Sequence, residues 1–304
     1  MTHATATQTA PNHDLVGALS AAAATLTVGA SVAVSSLLTD YPALGGQAMR
    51  YAVASVVLGL ILLAREGGFR RPSGRDLVYV VALAATGLIG FNLFLLAALE
   101  TANPAAVGVI VGCAPVLLAI AGPVMAGRRP GGRVLAAAGV VVLGAALVEG
   151  GGAATLAGVL FAVGALFGEA AFSLLAAPVL PRLGPLALST YACVAGSVLL
   201  GVGALLFDGA AALPRPTATE ATALLVLAIA VTAGAFVAFY TGVERLGVAR
   251  AGLFTGLIPV GALLGAAVVD ADPVTPLRVL GVGIVAAGVV VGMTGGGATA
   301  GESP

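Results

Sequence analysis

The stretch Ala98-Leu-Glu-Thr-Ala-Asn-Pro-Ala-Ala-Val-Gly-Val-Ile-Val-Gly-Cys-Ala-Pro-Val116 is matched by a second stretch of this 304-residue chain. Five features recur at one offset of 144 residues: Glu100 with Glu244, Ala105 with Ala249, Gly108 with Gly252, Gly112 with Gly256, and Pro115-Val116 with Pro259-Val260. Further matches occur before and after these features, at offsets between 141 and 144. A repeat of this length predicts a duplicated architecture.

The composition is that of a membrane protein. Hydrophobic residues make up 60% of the chain and charged residues 9%, and the mean hydropathy is +1.11. A soluble domain has about 25% charged residues. The chain contains ten apolar segments, each long enough to cross about 30 Å of hydrocarbon as a helix and without the alternation of a barrel strand. They lie at about 15–38, 42–64, 77–99, 102–125, 132–149, 155–180, 185–207, 220–243, 248–269 and 276–293.

The repeat divides the ten segments into two halves, at 15–150 and 151–293, between disordered tails at 1–14 and 294–304. Five spans are an odd number, so the second half must enter the membrane from the opposite face. The predicted fold is therefore an all-α membrane protein with ten transmembrane helices as two inverted five-helix repeats. Many secondary transporters have this arrangement, with the substrate site near the midplane between the halves.

The arginines predict the orientation. All thirteen basic residues are arginine, and the formal net charge is zero, so no nucleic-acid partner is expected. On one side of the predicted topology lie Arg65, Arg70, Arg71, Arg75, Arg128, Arg129, Arg133, Arg182, Arg245 and Arg250. On the other side lie only Arg215 and Arg278. The positive-inside rule then places both termini in the cytoplasm, for a multi-pass protein of the cytoplasmic (inner) membrane.

Several chemistries are excluded by residue type. Without lysine the chain has no P-loop and no Schiff-base lysine, and it lacks His-Glu-x-x-His and Gly-x-Ser-x-Gly motifs. The only histidines, His3 and His13, fall in the predicted tail, and no pair of aspartates lies within a segment. Cys113 and Cys193 lie in apolar runs, where a thiol behaves as a small hydrophobe. We therefore expect a protein that is not an enzyme and has no metal and no cofactor.

Two glycine pairs and two prolines are candidate packing or hinge positions. Each pair is spaced Gly-x-x-x-Gly, which favours close helix approach, and a proline follows three residues later, where it kinks a helix and frees a carbonyl. For the glycines the main interpretation is tight packing; for the prolines it is a hinge or a carbonyl that lines a cavity. The six residues are Gly108, Gly112, Pro115, Gly252, Gly256 and Pro259.

The sequence around these motifs resembles the EamA-type members of the drug/metabolite transporter superfamily. The resemblance is carried by Ala98-Leu-Glu-Thr-Ala102 with Pro115-Val116, by Gly242-Val-Glu244 with Pro259-Val260, and by Asp272-Pro273. The first half departs from the family pattern, because Arg128 stands where an acid is expected. The resemblance implies a ten-helix transporter fold in which spans one to four and six to nine surround a central cavity and spans five and ten are peripheral.

Arg50 and Glu169 are the ionisable residues predicted at membrane depth, where a charge is costly unless it is paired or hydrated. Arg50 lies about 12 Å, and Glu169 about 21 Å, from the same membrane face at about 1.5 Å per residue. One interpretation is a structural ion pair between them. The other is a functional site in which Glu169 titrates during the transport cycle and Arg50 holds an anionic group.

Other polar residues are weaker candidates. Asn92, Tyr191 and Tyr240 could line the cavity, although such side chains also bond to their own helix backbone. Glu100 and Glu244 are equivalent residues at helix ends. They are either solvated end charges or parts of two gates, one on each side.

The predicted function is a secondary active transporter, an exporter of small metabolites or drugs that works by alternating access. The alternatives are a passive channel or a lipid-moving protein of the same fold. The expected partners are a small-molecule substrate and the lipid bilayer, with protons as a candidate coupling ion. The small-residue faces of segments five and ten could pack against lipid or against a second copy in a homodimer.

Overall fold

Ten transmembrane spans form the molecule. The computed structural model describes residues 10–66, 68, 71–150, 152–268 and 275–294. Within those residues, ten helices are long and apolar enough to cross a membrane, which confirms the predicted number. Spans 1 to 10 are Asn12–Leu38, Ala43–Arg65, Gly74–Thr101, Pro104–Met125, Gly132–Glu149, Leu156–Leu174, Leu180–Phe207, Ala218–Leu246, Val248–Val268 and Pro276–Met293. We call the end of the bundle where span 1 begins and span 10 ends the "termini end", and we call the other end of the bundle the "opposite end".

The first helix is longer than the sequence predicts. It begins at Ala10, so residues 10–14, predicted to belong to a disordered tail, are helical. Asp14 forms an ion pair with Arg250 of span 9, at 3.3 Å between the carboxylate and the guanidinium, and this contact explains why a polar segment is ordered. The rest of the predicted tails and the acidic motif of the second half lie outside the described residues: 1–9, 295–304 and Asp272-Pro273.

The packing of the spans follows the repeat. Span 1 packs against spans 8 and 9, and its repeat equivalent, span 6, packs against spans 3 and 4. Span 2 packs against span 7, span 4 against span 9 and span 5 against span 10, so each of these three pairs joins equivalent helices. The structure therefore has two five-helix repeats related by an approximate two-fold axis. Because each half has an odd number of spans, the two halves have inverted topology.

Spans 3 and 8 begin with the same capping device. Ser73 and Asp76 form a capping box at the start of span 3, and Thr217 and Glu220 form one at the start of span 8. In each box the hydroxyl accepts from the third helical N–H and the carboxylate accepts from the capping residue's N–H. The two boxes are 144 residues apart, so they extend the repeat beyond the features found from sequence.

The same two spans contain π-helical turns at equivalent positions. These turns are Ala84–Gly90 in span 3 and Leu227–Gly234 in span 8. A π-turn inserts one residue into the α-helical ladder, so local backbone groups are freed and side chains are redirected, often near functional sites. The hydropathy of the two segments gives no sign of this irregularity.

Spans 4 and 9 are interrupted just before their prolines. Span 4 consists of two helices, Pro104–Val111 and Ala114–Met125, and span 9 changes to a 3-10 turn over Phe254–Leu257. Pro115 and Pro259 follow these interruptions. Each proline lacks an N–H and its ring clashes with the preceding turn, which accounts for a break at this depth in both halves.

Spans 5 and 10 pack on each other through glycines. A Cβ atom added at Gly144 would lie 2.7 Å from the Val285 backbone nitrogen, and one added at Gly288 would lie 2.7 Å from a Val141 methyl group. The expectation that these small-residue faces pack against lipid or a second copy is therefore wrong for the face that carries Gly144. That face is occupied within the chain, because only glycine allows two backbones to approach so closely.

This packing makes a testable prediction. We expect Gly144→Val to destabilise the protein by about 1–3 kcal/mol, because the added atoms overlap backbone atoms that cannot move aside. Thermal unfolding of the purified protein in detergent measures the effect. Gly139→Val is the matched control on the same helix, since a Cβ there meets nothing within 4 Å. Equal melting temperatures for the two variants would contradict this account of the packing.

Candidate functional site

Arg50 is the centre of a polar network inside the bundle. Its Nε donates to the Thr232 Oγ1 of span 8, and its Nη1 donates to Gln47 Oε1 at 3.4 Å. Its guanidinium carbon lies 5.7 Å from the centre of the Tyr51 ring, within the range of a cation–π contact. The hydrogen bond to Thr232 of span 8 and the contact with the Tyr51 ring together fix the direction of the Arg50 side chain.

The network continues from span 2 into span 3. Gln47 Nε2 donates to Asn92 Oδ1 at 3.2 Å, and Asn92 Nδ2 donates to the Leu88 carbonyl at 2.6 Å. Asn92, a predicted candidate, is therefore brought together with Arg50, while Gln47 is the link between them. We call Gln47, Arg50, Asn92 and Thr232 the Arg50 network.

Both π-turns border the Arg50 network. Thr232 lies in the π-turn of span 8, and Leu88, whose carbonyl accepts from Asn92, lies in that of span 3. Thr232 is fully buried and was not predicted from sequence. The available signal was the repeat itself, because Leu88 and Thr232 are equivalent at the offset of 144 and differ in polarity.

The partners of Arg50 are all neutral. Thr232 and Gln47 accept its hydrogen bonds, and no described acidic residue forms an ion pair with it. A cation at membrane depth is costly unless it is hydrated or paired. The network therefore holds an uncompensated positive charge, which suits an anionic ligand.

No ion pair joins Arg50 and Glu169, both of which lie in the described part of the chain, so the interpretation as a structural pair is not realised in this conformation. The Tyr51 ring contacts the Phe236 ring at 6.2 Å, and the Phe236 ring contacts the Phe172 ring at 4.8 Å. Tyr51 adjoins Arg50 in span 2 and Phe172 follows Glu169 by three residues in span 6, so this row of rings joins the two spans that carry the charged residues.

Glu169 is half-buried in span 6. It has no hydrogen-bond or ion-pair partner among the described residues, although it lies close enough to the Tyr240 phenol to interact electrostatically. A carboxyl group in such a position is neutral or hydrated, because a dry, unpaired carboxylate is costly at membrane depth. Glu169 is therefore a candidate for proton binding.

Tyr240 belongs to an aromatic cluster rather than to the Arg50 network. It is fully buried, its ring stacks on Phe172 at 4.8 Å, and its hydroxyl donates to the Phe172 carbonyl at 3.3 Å. Phe236 and Phe239 complete the cluster. Tyr191, the other tyrosine candidate, is half-buried in span 7 and adjoins Ala192, the repeat equivalent of Arg50. The low aromatic content of the chain gave no indication that these rings gather at one place.

The glutamates that were predicted as gates are both exposed. Glu100 lies at the opposite end of span 3, and Glu244 lies at the termini end of span 8. No described residue forms a hydrogen bond or ion pair with either carboxylate. Their surroundings fit solvated end charges in this conformation.

The repeated glycines are mainly packing positions. A Cβ atom added at Gly108 would lie 2.7 Å from the Glu149 carboxyl carbon. One added at Gly252 would lie 2.8 Å from Leu118 Cβ, and one at Gly256 would overlap Val141. Gly112 instead lies in the interruption of span 4.

The two ends of the bundle differ in how spans 4 and 9 are placed. At the termini end the spans meet: a Cβ atom at Gly122 would lie 3.2 Å from Val248 Cβ, and Gly252 packs on Leu118. At the opposite end they diverge, with Pro104–Val111 packed against spans 5 and 6 and Ile258–Val268 against span 1. The interior is thus closed at the termini end, and the Arg50 network lies nearer the opposite end, where span 2 begins.

Comparison with known proteins agrees with this architecture. The chain is 28% identical over 281 residues to "Uncharacterized transporter YetK" of Bacillus subtilis (strain 168), covering 90% of this chain and 85% of that protein. It is 29% identical over 257 residues to the "Probable terminal-alkyne amino-acid exporter" of Streptantibioticus cattleyicolor, covering 84% of this chain and 85% of that one. A solved crystal structure shares the fold, with a TM-score of 0.77 and 21% identity over 93% of this chain and 98% of the other.

The model of the EamA-like transporter family matches the chain twice, at residues 15–150 and 156–294. The two matches together take in all ten spans and the Arg50 network. The chain therefore belongs to the EamA-like transporter family.

Proposed function

We propose that this membrane transporter is a secondary active exporter of small carboxylate-bearing metabolites or drugs, working by alternating access across the cytoplasmic membrane. The family and the names of two relatives support transport as the activity. The observation that carries the substrate class is the uncompensated charge of Arg50, whose hydrogen-bond acceptors are the neutral Thr232 and Gln47.

A carboxylate matches the donors that Arg50 still offers. Its Nε and Nη1 are engaged, and its Nη2 donates to no described protein acceptor. A planar guanidinium binds a carboxylate through directed, charge-assisted hydrogen bonds. The amino acid named for the Streptantibioticus cattleyicolor relative carries such a carboxylate. Amino acids are therefore the first substrates to test.

Glu169 is the proposed coupling group. It is half-buried in span 6 and has no described hydrogen-bond or ion-pair partner. A carboxyl group in this position can bind a proton in one conformation and release it in the other. In this proposal protons move in exchange for the substrate.

The proposed orientation has both termini in the cytoplasm, supported by the ten arginines on that side. The closed termini end is then cytoplasmic, and the Arg50 network faces the outside. Pro115 and Pro259 allow spans 4 and 9 to bend as the bundle opens at either side. Glu100 would help to close the opposite end, whereas Glu244, exposed at the end that is already closed, would remain a solvated end charge.

Flux into proteoliposomes tests the activity itself. A carrier gives saturable uptake and counterflow, in which preloaded unlabelled amino acid speeds the entry of labelled amino acid. A passive channel gives linear, non-saturating flux without counterflow. Movement of labelled lipid between leaflets without amino-acid flux would favour the lipid-moving alternative.

Two substitutions of Arg50 should separate the contribution of its positive charge to substrate binding from that of its planar donor geometry. We expect Arg50→Ala to raise the KM for a carboxylate substrate by about tenfold to a hundredfold, the effect of losing hydrogen bonds to a charged group. Arg50→Lys should recover part of this loss because it keeps the charge but not the planar donors. Concentration-dependent uptake measures both effects. Unchanged KM values in both variants would overturn the proposed site.

Thr232 should affect substrate binding indirectly, because it holds the Arg50 side chain in position. We expect Thr232→Val to raise KM by about threefold to tenfold with little change in maximal rate, because one hydrogen bond to the guanidinium is lost. Thr232→Ser should restore the KM. Thr241→Val is the matched control in span 8, since the Thr241 hydroxyl bonds to its own helix at the Val237 carbonyl. A similar change in KM for the two valine variants would contradict the role of Thr232.

Substitution of Glu169 should uncouple exchange from the proton gradient. We expect Glu169→Gln to abolish accumulation driven by an imposed pH gradient but to retain counterflow, because counterflow needs no net proton movement. Asp208→Asn, at the exposed end of span 7, is the control and should behave like the unmodified protein. Gradient-driven accumulation that persists in Glu169→Gln would exclude this residue as the coupling group.

A further inference from the structure

The two capping boxes are alike in sequence and local geometry but differ in their surroundings. In span 3, Asp76 accepts from the Ser73 backbone at 2.6 Å and from its hydroxyl at 2.7 Å. In span 8, Glu220 accepts from the same two groups of Thr217, at 2.7 and 2.8 Å. Local sequence therefore dictates the same helix start in both halves.

Only the first of the two boxes is joined to another span by an ion pair. Asp76 is 6% exposed and forms an ion pair with Arg182 at the start of span 7. Glu220 is half-buried and forms no ion pair with a described residue. The carboxylate of the first box is thus buried and linked to span 7, whereas that of the second box is half-buried and has no such link.

This difference coincides with the closure of the bundle. The termini end, where Asp76 meets Arg182, is also where spans 4 and 9 meet and where Asp14 pairs with Arg250. In an inverted repeat, equivalent residues exchange environments when the molecule changes from one open state to the other. A carboxylate that is buried and ion-paired in one half but half-buried without a described ion pair in the other marks a contact that differs between the two states.

We propose that the Asp76–Arg182 ion pair is a latch that holds the termini end closed and breaks when that end opens. The proposal rests on the alternating-access function proposed above. It adds a contact that favours the state in which the termini end is closed over the state in which that end is open. Val80 lies one turn after Asp76 in span 3, is 2% exposed and packs in the same apolar core as Leu180 and Leu183 of span 7. In the proposal this core becomes accessible to water when the latch opens, while the capping boxes keep both helix starts intact.

The latch should stabilise the closed state by shifting a two-state population, so its loss is measurable without substrate. We would place a reporter cysteine with Val80→Cys in a background with Cys113→Ser and Cys193→Ala, and follow its reaction with a polar maleimide. Purified protein in nanodiscs exposes both ends, so the assay does not depend on membrane orientation. Labelling of the closed state is expected to be slow, because Val80 is buried.

We expect Asp76→Asn and Arg182→Gln each to accelerate labelling by at least about fivefold, because Asp76 is buried and breaking a buried ion pair costs more than breaking an exposed one. Glu220→Gln is the matched control, because it alters an equivalent capping box that has no ion pair, and labelling should stay at the background rate. The double variant Asp76→Asn with Arg182→Gln should label no faster than the faster single variant, because both changes remove the same ion pair. Labelling of Asp76→Asn no faster than that of Glu220→Gln would overturn the latch, as would a double variant whose acceleration is the product of the two single effects.

The latch and the transport function fail in different assays. Normal transport by the Arg50→Ala variant would overturn the proposed substrate site but not the latch, because this substitution should not alter maleimide labelling. Slow labelling of the Asp76→Asn variant would overturn the latch, whatever the uptake data show.

Discussion

Helices in a bilayer gain little hydrophobic stabilisation from contact with each other, because the lipid chains they displace are as apolar as their own side chains. Close backbone approach is therefore the main attractive contact available. In this protein a Cβ atom at Gly29 would lie 2.0 Å from the Ile258 carbonyl, and one at Gly87 would lie 2.9 Å from Phe172 Cα. Spans 1 and 9 and spans 3 and 6 meet at these glycines. The positions of the spans, and so of every functional side chain, depend on such contacts.

The repeat determines which helices pack on each other, but it does not determine which polar residues lie between them. Equivalent helices pack in equivalent pairs, and equivalent spans carry the same capping boxes, π-turns and proline breaks. The polar network uses positions at which the two halves differ. Arg50 is equivalent to Ala192, and Thr232 is equivalent to Leu88. A nearly symmetric frame thus carries one asymmetric polar network.

A second feature of the interior is the row of aromatic rings formed by Tyr51, Phe236 and Phe172. Tyr51, Phe236 and Phe172 form ring contacts between the spans that carry Arg50 and Glu169, and no ion pair joins these two residues. If the two paired permanently, the arginine would lose its affinity for an external anion and the glutamate its ability to exchange a proton. Without such a pair, Arg50 and Glu169 are each available for a separate ligand, as the proposed function requires.

The amino-acid sequence by itself determined the membrane class, the ten spans and their inverted repeat, because hydropathy, odd span number and residue offsets are all local or periodic properties. It also indicated Arg50, Glu169 and Asn92, since a charged or amide group in an apolar segment stands out without a structure. Only the tertiary structure showed that Arg50 donates to Thr232, that the rings of Tyr51, Phe236 and Phe172 meet, and that Asp76 meets Arg182. These contacts join residues up to 182 positions apart. They depend on π-turns and side-chain directions, for which single-sequence hydropathy carries no signal.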